Sequence, residues 1–187
     1  MSTINIGILT ISDGVSTGHR EDMSGDVIQE ISREQGWSVA KRAVVPDEGA
    51  QIAKVLKAWA DTLKLDMILT TGGTGLGPRD VTPEATASVL DRPVPGVAEY
   101  MRAESIKATP FGMLSRGISG ARKKSLIVNL PGSPKAVREC LDAVKQVLPH
   151  AVELMRGDVT QHLVKGSAVI AKKLNNKTVN SGKLKKT

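Results

Sequence analysis

The sequence predicts a three-layer α/β/α fold with a mainly parallel sheet. β-rich apolar segments alternate along the chain with segments of helix length, which is the pattern of strands joined by helical crossovers. At least two strand segments are apolar almost without interruption, as expected for strands that helices cover on both faces. The chain has 187 residues, of which 40% are hydrophobic, enough for one domain with a substantial core.

The first half of the chain contains three predicted strands, "INIGILTIS", "WSVAKRAVV" and "LDMILTT". Between the first two, a helix is expected to begin at a Ser24 N-cap and to end at Gly36. Between the second and third, apolar residues recur at the spacing of one helix face, which places Trp59 in the core. The residues of this stripe are Ile52, Val55, Leu56, Trp59 and Leu63.

The second half continues the alternation. Thr82, followed by a proline, is expected to cap one helix, and a second helix is expected from Pro95 to about Lys107. "SLIVNLPGSP" predicts a further buried strand that ends in a tight turn. Ser133 then caps the last long helix, whose apolar stripe places Cys140 in the core. The stripe consists of Val137, Cys140, Leu141, Val144, Val147 and Leu148.

The net charge of +7 is concentrated at the C-terminus. Residues 172–187 contain six lysines and no acid, which leaves 20 basic and 19 acidic residues in the rest of the chain. We therefore expect one folded domain over residues 1–158 and an extension over 159–187, Lys-rich from about Lys172 and disordered. The chain has one Phe, one Tyr and two Trp. Because so few aromatic residues could stack on bases, no nucleic-acid partner is expected.

The chain is expected to be cytoplasmic. It has one cysteine, so an intramolecular disulfide is impossible and a reducing compartment fits best. The N-terminal "MSTINIGILTISDG" lacks the basic segment of a signal peptide and reads as a strand. No apolar run approaches the length that a membrane span needs, so no membrane partner is expected.

Four segments are expected to meet at one edge of the sheet. "ISDG", "VPDE", "TTGGTG" and "NLPGSP" each follow a predicted strand. In open parallel sheets, ligands bind outside the carboxyl ends of the strands, where loops lead into helices. The sequence therefore predicts the ligand site at this edge.

"TTGGTGLGPRDVTPEAT", from Thr70 to Thr86, has four glycines and follows a buried strand directly. Such a loop brings backbone N–H groups close to an anion such as a phosphate. The usual phosphate-loop pattern G-x-x-x-x-G-K-[ST] is absent, and a purely structural turn is an open alternative. "NLPGSP" adds a second turn with the same two readings, since Ser133 can also be an ordinary helix cap.

Asp47 and Asp80 are the acidic residues that the pattern singles out. Each lies in a loop at the expected ligand edge, and two carboxylates beside phosphate oxygens can hold a hard cation such as Mg²⁺. Two alternatives stay open: Asp47 caps a helix that begins at Glu48, and Asp80 pairs with Arg79. The three histidines have no zinc-site spacing, and the serine-hydrolase pattern G-x-S-x-G is absent.

The glycine segment, together with "ESIKATPFGMLSRGISGARKKSLIVNLPGSPKAV", closely resembles molybdopterin adenylyltransferases, enzymes of molybdenum-cofactor biosynthesis. The resemblance extends from about Ile4 to Asp158. It implies that AMP is transferred from ATP to the molybdopterin phosphate, with Mg²⁺ required and pyrophosphate released. It also implies a homotrimer and, as the next partner, an enzyme that inserts the metal.

The resemblance also assigns roles to residues. Asp47 and Asp80 match the two aspartates that the family needs for catalysis, which we also expect to hold Mg²⁺. Ser115 in "MLSRG" matches a serine of the pterin side, and Ser12 and Asp13 lie in a matching loop on the substrate side. The residues that match the nucleotide-binding turns are Gly72, Gly73, Thr74, Gly75, Gly132 and Ser133.

From composition alone, Ser115 is predicted to be a solvated serine at a helix end. A sister branch of the same fold tends to have "GD" before "TPE", whereas this chain has Arg79 and Asp80. A non-catalytic molybdopterin-binding or scaffold protein is the main alternative, and a general nucleotide phosphohydrolase is another. Molybdenum versus tungsten, ATP versus GTP and the role of the lysine tail stay open.

Overall fold

The structure, a computed structural model, describes residues 3–157. The strands are β1 (Asn5–Ile11), β2 (Ser38–Val45), β3 (Met67–Thr71), β4 (Arg92–Pro93), β5 (Ser119–Arg122) and β6 (Ser125–Leu130). The α-helices are α1 (Asp13–Ser16), α2 (Met23–Glu34), α3 (Gly49–Lys57), α4 (Thr82–Ala87), α5 (Pro95–Ala108), α6 (Pro134–Val144) and α7 (Leu148–Arg156). A π-helical turn (Ala58–Thr62) extends α3, and a 3₁₀-helix (Pro110–Leu114) follows α5.

The six strands form one sheet in the order β2-β1-β3-β6-β5-β4. β1 pairs in parallel with β2 and β3, and β3 pairs in parallel with β6, which confirms the mainly parallel sheet. β5 and β4 continue the sheet in antiparallel pairing, an edge that the sequence did not reveal. The reason is physical: β4 has two residues and β5 reads "SGAR", so neither carries a measurable apolar periodicity.

The sheet separates two hydrophobic clusters, which confirms the three layers. Ile6 and Ile8 of β1 pack into one cluster with residues of α2, α5, α6 and α7. Leu9 and Ile11 of the same strand face the other cluster with residues of α3 and α4. Alternate residues of a strand point to opposite faces, so one apolar strand supplies both clusters. Trp59 and Cys140 are buried in these clusters, as predicted.

Two helix starts differ from the prediction by one or two residues. Asp22, rather than Ser24, caps α2, and its carboxylate accepts from the Gly25 N–H. Ser24 lies inside α2, and its hydroxyl donates to the Gly132 carbonyl oxygen at 2.7 Å. Thr82 is the first residue of α4 rather than its cap, and its hydroxyl donates to the Gly72 carbonyl oxygen. Both hydroxyls donate to carbonyl groups ten or more positions away along the chain. A capping rule considers only neighbouring residues and therefore does not predict these bonds.

Two members of the predicted apolar stripes are exposed. Leu63 is 49% exposed, because the π-helical turn after α3 changes the helical period. The last predicted helix divides after Val144 into α6 and α7, and Val147 in the connection is 58% exposed. Among residues 3–157, no helix combines the length and apolar character needed to cross a bilayer. The predicted boundary at Asp158 and the Lys-rich extension lie outside the described residues.

Candidate active site

A cavity of about 480 Å³ lies at the carboxyl edge of the parallel strands. The loops after β1, β2, β3 and β6 line it, so the four segments meet where the sequence placed them. Seven of the predicted site residues contribute to its wall: Ser12, Asp47, Gly72, Gly73, Asp80, Gly132 and Ser133. Three others lie beside it. Thr74 is buried in the glycine loop, Gly75 follows it, and Asp13 contacts Asp47.

The glycine loop begins where the chain passes closest to β1. Gly72 and Gly73 have φ angles of +98° and +61°, in the region that favours glycine. A Cβ atom on Gly72 would lie 2.1 Å from the Ile11 carbonyl oxygen, and one on Gly73 would lie 3.0 Å from Asp47 Oδ1. The fold therefore requires glycine at both positions. Because these residues have no side chains, they also leave space in the cavity that they line.

The second half of the loop folds around Asp80. The Gly77 N–H donates to Asp80 Oδ2 at 2.8 Å, and the Asp80 N–H donates to the Gly77 carbonyl oxygen at 2.9 Å. A Cβ atom on Gly75 or Gly77 would lie 2.9 Å from Asp80 Oδ2. The loop glycines thus leave room for this carboxylate. Asp80 does not pair with Arg79, so that alternative is wrong.

Asp47 is bound to the loop after β1. Its Oδ2 accepts from the Asp13 N–H at 2.8 Å, and its own N–H donates to Asp13 Oδ1 at 3.0 Å. The helix-cap alternative for Asp47 is wrong, since Glu48 is the N-cap of α3 and forms no side-chain cap bond. The carboxylates of Asp47 and Asp80 line one cavity, and neither has the local partner that the alternatives assigned to it.

Arg79 neutralises some of the carboxylates at this edge of the sheet but does not pair with Asp47 or Asp80. Arg79 contacts Asp13 and Glu48, each at 3.1 Å, and its hydrogen bond holds the pKa of Asp13 below the usual range. Burial raises the pKa of Asp47, and the negative charges of Asp13 and Asp80 add to this effect. The neighbouring carboxylates make this part of the cavity negatively charged. A bound cation would offset that charge and favour the ionised form of Asp47.

The two carboxylates fit Mg²⁺, which prefers oxygen ligands and keeps several waters or substrate oxygens in its coordination shell. Among residues 3–157, no group of three or more His, Cys, Asp or Glu side chains forms a complete metal site.

Ser115 lies in a second cavity of about 260 Å³. This cavity is mainly apolar and includes Met101, Phe111 and Cys140 in its wall. Ser133 lines both cavities, so they meet at the turn between β6 and α6. Its hydroxyl also caps α6 by accepting from the Ala136 N–H. The prediction that Ser133 caps the helix is thus confirmed, and Ser133 also lines both cavities.

Two polar residues of the site were missed by the sequence reasoning. Asn129 is buried in β6, lines the second cavity and donates to the hydroxyls of Thr70 and Thr86. A single polar residue inside the apolar run "SLIVNL" was a visible signal. Arg116 lies directly after Ser115 and contacts the glycine loop. No local pattern marks that contact.

The sequence profile described as "Probable molybdopterin binding domain" matches residues 7–150. The chain belongs to this family. It is 45% identical over 163 residues to a protein of Helicobacter pylori named molybdopterin adenylyltransferase, covering 86% of this chain and 93% of the relative. It is 36% identical to the Escherichia coli protein of the same name, covering 84% and 88%.

Solved structures of the molybdopterin-binding family have the same fold. The molybdopterin biosynthesis enzyme MoaB of Thermus thermophilus superimposes with a TM-score of 0.79 at 52% sequence identity. The match covers 83% of this chain and 98% of the MoaB chain. Nearly the whole length of these relatives is therefore matched by this chain.

Proposed function

We propose that the chain is a molybdopterin adenylyltransferase of molybdenum-cofactor biosynthesis, transferring AMP from ATP to the molybdopterin phosphate. The observation that carries the proposal is the pair of cavities that meet at Ser133. The first cavity has two carboxylates and a glycine-lined wall, which suit a nucleoside triphosphate. The second cavity is mainly apolar and has Ser115 in its wall. The names of the relatives in Helicobacter pylori and Escherichia coli support the same activity.

The residues of the two cavities have distinct roles in this reaction. Backbone groups of Gly72, Gly73 and Gly132 border the nucleotide cavity, and Ser133 is the N-cap of α6, whose positive dipole end favours an anion. Ser115 and the apolar wall beside it would orient the pterin substrate. Asp47 and Asp80 would hold Mg²⁺, which neutralises phosphate charge when bound.

The transfer needs no covalent intermediate on the protein. An oxygen of the pterin phosphate attacks the α-phosphorus of ATP, the bond to the β-phosphate oxygen breaks, and pyrophosphate leaves. Positioning and charge neutralisation supply most of the catalysis of such a step. The two cavities meet at one turn, which would place the attacking phosphate and the nucleotide side by side.

The deciding experiment measures pyrophosphate released from ATP and Mg²⁺ with and without molybdopterin. We expect release only when the pterin is present and adenylylated pterin as the second product. Pterin binding with no release would identify a non-catalytic carrier or scaffold. Release of inorganic phosphate without pterin would identify a nucleotide phosphohydrolase.

The wider setting is proposed on the same basis. The chain would act in the cytoplasm and hand the adenylylated pterin to an enzyme that inserts the metal. A homotrimer is expected, and the exposed apolar side chains on α5 and the 3₁₀-helix after it are compatible with a covered surface. They are Tyr100, Ile106, Phe111, Met113 and Leu114. Light scattering of the full chain measures the number of subunits.

The pH dependence should report the charge of Asp47. Because burial and the charge of Asp13 raise the pKa of Asp47, the rate should fall on the acid side as Asp47 takes up a proton. Asp13→Asn removes one repulsive charge and keeps the Asp13 N–H that binds Asp47. The acid limb of the pH–rate profile should therefore move to lower pH.

The matched control is Glu48→Gln. This change also removes a carboxylate partner of Arg79, but Glu48 does not raise the pKa of Asp47. Its acid limb should stay at the wild-type position. An Asp13→Asn profile that coincides with wild type, or moves to higher pH, would contradict the assignment of the limb to Asp47.

A further inference from the structure

Arg116 binds the glycine loop at several points. Its Nε donates to the Gly75 carbonyl oxygen at 2.7 Å, and its Nη2 donates to the Asp80 carbonyl oxygen at 2.6 Å. Its backbone N–H donates to the Thr74 carbonyl oxygen at 2.9 Å. Nη1 forms an ion pair with Glu84 of α4. One side chain therefore connects Gly75, Asp80 and the first turn of α4.

Between these points, Arg79 also connects the loop to the rest of the protein, through Asp13 and Glu48. Residues 76–79 are exposed, and Leu76 has 67% of its surface accessible. Asp80 contacts the loop itself through the Gly77 N–H and carbonyl oxygen. These local bonds fix Asp80 relative to Gly77 but not relative to the body of the protein. Arg79, the residue before Asp80, is anchored through its side chain. Arg116 instead binds the backbone carbonyl of Asp80 itself, which connects this residue to the segment after Ser115.

We propose that Arg116 is a positioning residue that fixes the direction in which Asp80 presents its carboxylate to the nucleotide cavity. The inference rests on the proposed function, since that function gives Asp80 its task. Arg116 acts through the backbone and does not line either cavity. Because Ser115 precedes it directly, one dipeptide serves both the pterin side and the nucleotide side.

The guanidinium is suited to this role in a way that lysine is not. It presents several N–H donors in a rigid planar fork, so it reaches two carbonyl oxygens and one carboxylate at once. A lysine ammonium keeps the charge but is a flexible point donor. Arg116→Lys therefore tests geometry with the charge retained.

The first test compares Arg116→Lys with Arg122→Lys. Arg122 is the matched control, because it also donates to a backbone carbonyl, that of Val89, pairs with an acid, Asp61, and lines neither cavity. We expect Arg116→Lys to lower kcat by about 10- to 100-fold, the effect of a displacement near 1 Å. The Mg²⁺ concentration for half-maximal rate should rise. Arg122→Lys should change neither quantity.

A second readout does not depend on activity. Short-time amide hydrogen exchange should become faster at Gly77 and Asp80 in Arg116→Lys and stay at the wild-type rate in Arg122→Lys. Glu84→Gln, which removes the ion pair but leaves both carbonyl contacts, should resemble wild type in exchange and Mg²⁺ dependence. If Arg116→Lys does not fold, Arg116→Gln takes its place in the same exchange measurement, with the same expected result.

The two proposals fail differently. Unchanged exchange at Gly77 and Asp80 in the Arg116 variants overturns the positioning role, whether or not the chain is active. Glu84→Gln reproducing the Arg116→Lys effects overturns it too, since the ion pair alone would then account for them. Wild-type protein that releases no pyrophosphate overturns the proposed function, and the exchange result still decides the role of Arg116.

Discussion

Asp80→Asn is expected to lower pterin-dependent pyrophosphate release by about 10³-fold, or roughly 4 kcal/mol of transition-state stabilisation. The amide oxygen of asparagine can still accept from the Gly77 N–H, so the loop should keep its shape. What is lost is the negative charge that would hold Mg²⁺ beside the phosphates. The measurement is the initial rate of pyrophosphate release at saturating Mg²⁺, ATP and molybdopterin.

Asp142→Asn is the matched control for this change. Asp142 lies on α6 and pairs with Lys145 one helical turn away, an exposed ion pair of the kind worth little. The control should retain the wild-type rate and the wild-type melting temperature. An Asp80→Asn protein that folds and keeps a rate within threefold of wild type would exclude the carboxylate from the catalytic role we propose.

Gly72→Ala is expected to destabilise the fold by at least about 3 kcal/mol, in the range of the severe single substitutions. The Cβ atom would lie 2.1 Å from the carbonyl oxygen of Ile11, at a φ angle of +98°. A backbone oxygen of a central strand cannot move aside as a flexible side chain can. Urea unfolding of the full chain measures the change in the free energy of unfolding.

Two further glycines separate the parts of that effect. Gly36 has a φ angle of +71° with open space around its Cβ position, so Gly36→Ala should cost only the left-handed backbone, about 1–2 kcal/mol. Gly49, in the first turn of α3, has open space and no positive φ angle, so Gly49→Ala should be close to neutral. Equal stability of the Gly72 and Gly49 variants would contradict the close approach of the loop to β1.

The sequence was sufficient for the strands of the parallel sheet and for the edge where the site lies. These strands are long, apolar and bounded by turn residues, so local patterns identify them. Parallel strands bring their carboxyl ends to one edge, and this rule alone placed the segments containing Asp47, Asp80 and Ser133 together. The short antiparallel strands β4 and β5 escaped because their residues are too few and too polar to show a period.

The partners of the site residues could not be predicted in the same way. Arg79 contacts Asp13, 66 positions away, rather than its neighbour Asp80. Arg116 contacts Asp80 across 36 positions. A sequence pattern lists neighbours along the chain, whereas these contacts depend on how far each loop extends from the sheet. The alternatives for Asp47 and Asp80 were therefore open until the loops were placed.

By itself, the sequence determined the layers, the parallel strands, the ligand edge and the resemblance to molybdopterin adenylyltransferases, because periodicity and motif spacing are local properties of the chain. Only the tertiary structure decided that the β1 carbonyl of Ile11 requires glycine at position 72, that the pKa of Asp47 is raised, and that Arg116 connects Gly75 to Asp80. Each of these depends on atoms brought within a few ångströms by packing. Steric exclusion, burial and hydrogen-bond geometry act at that range alone.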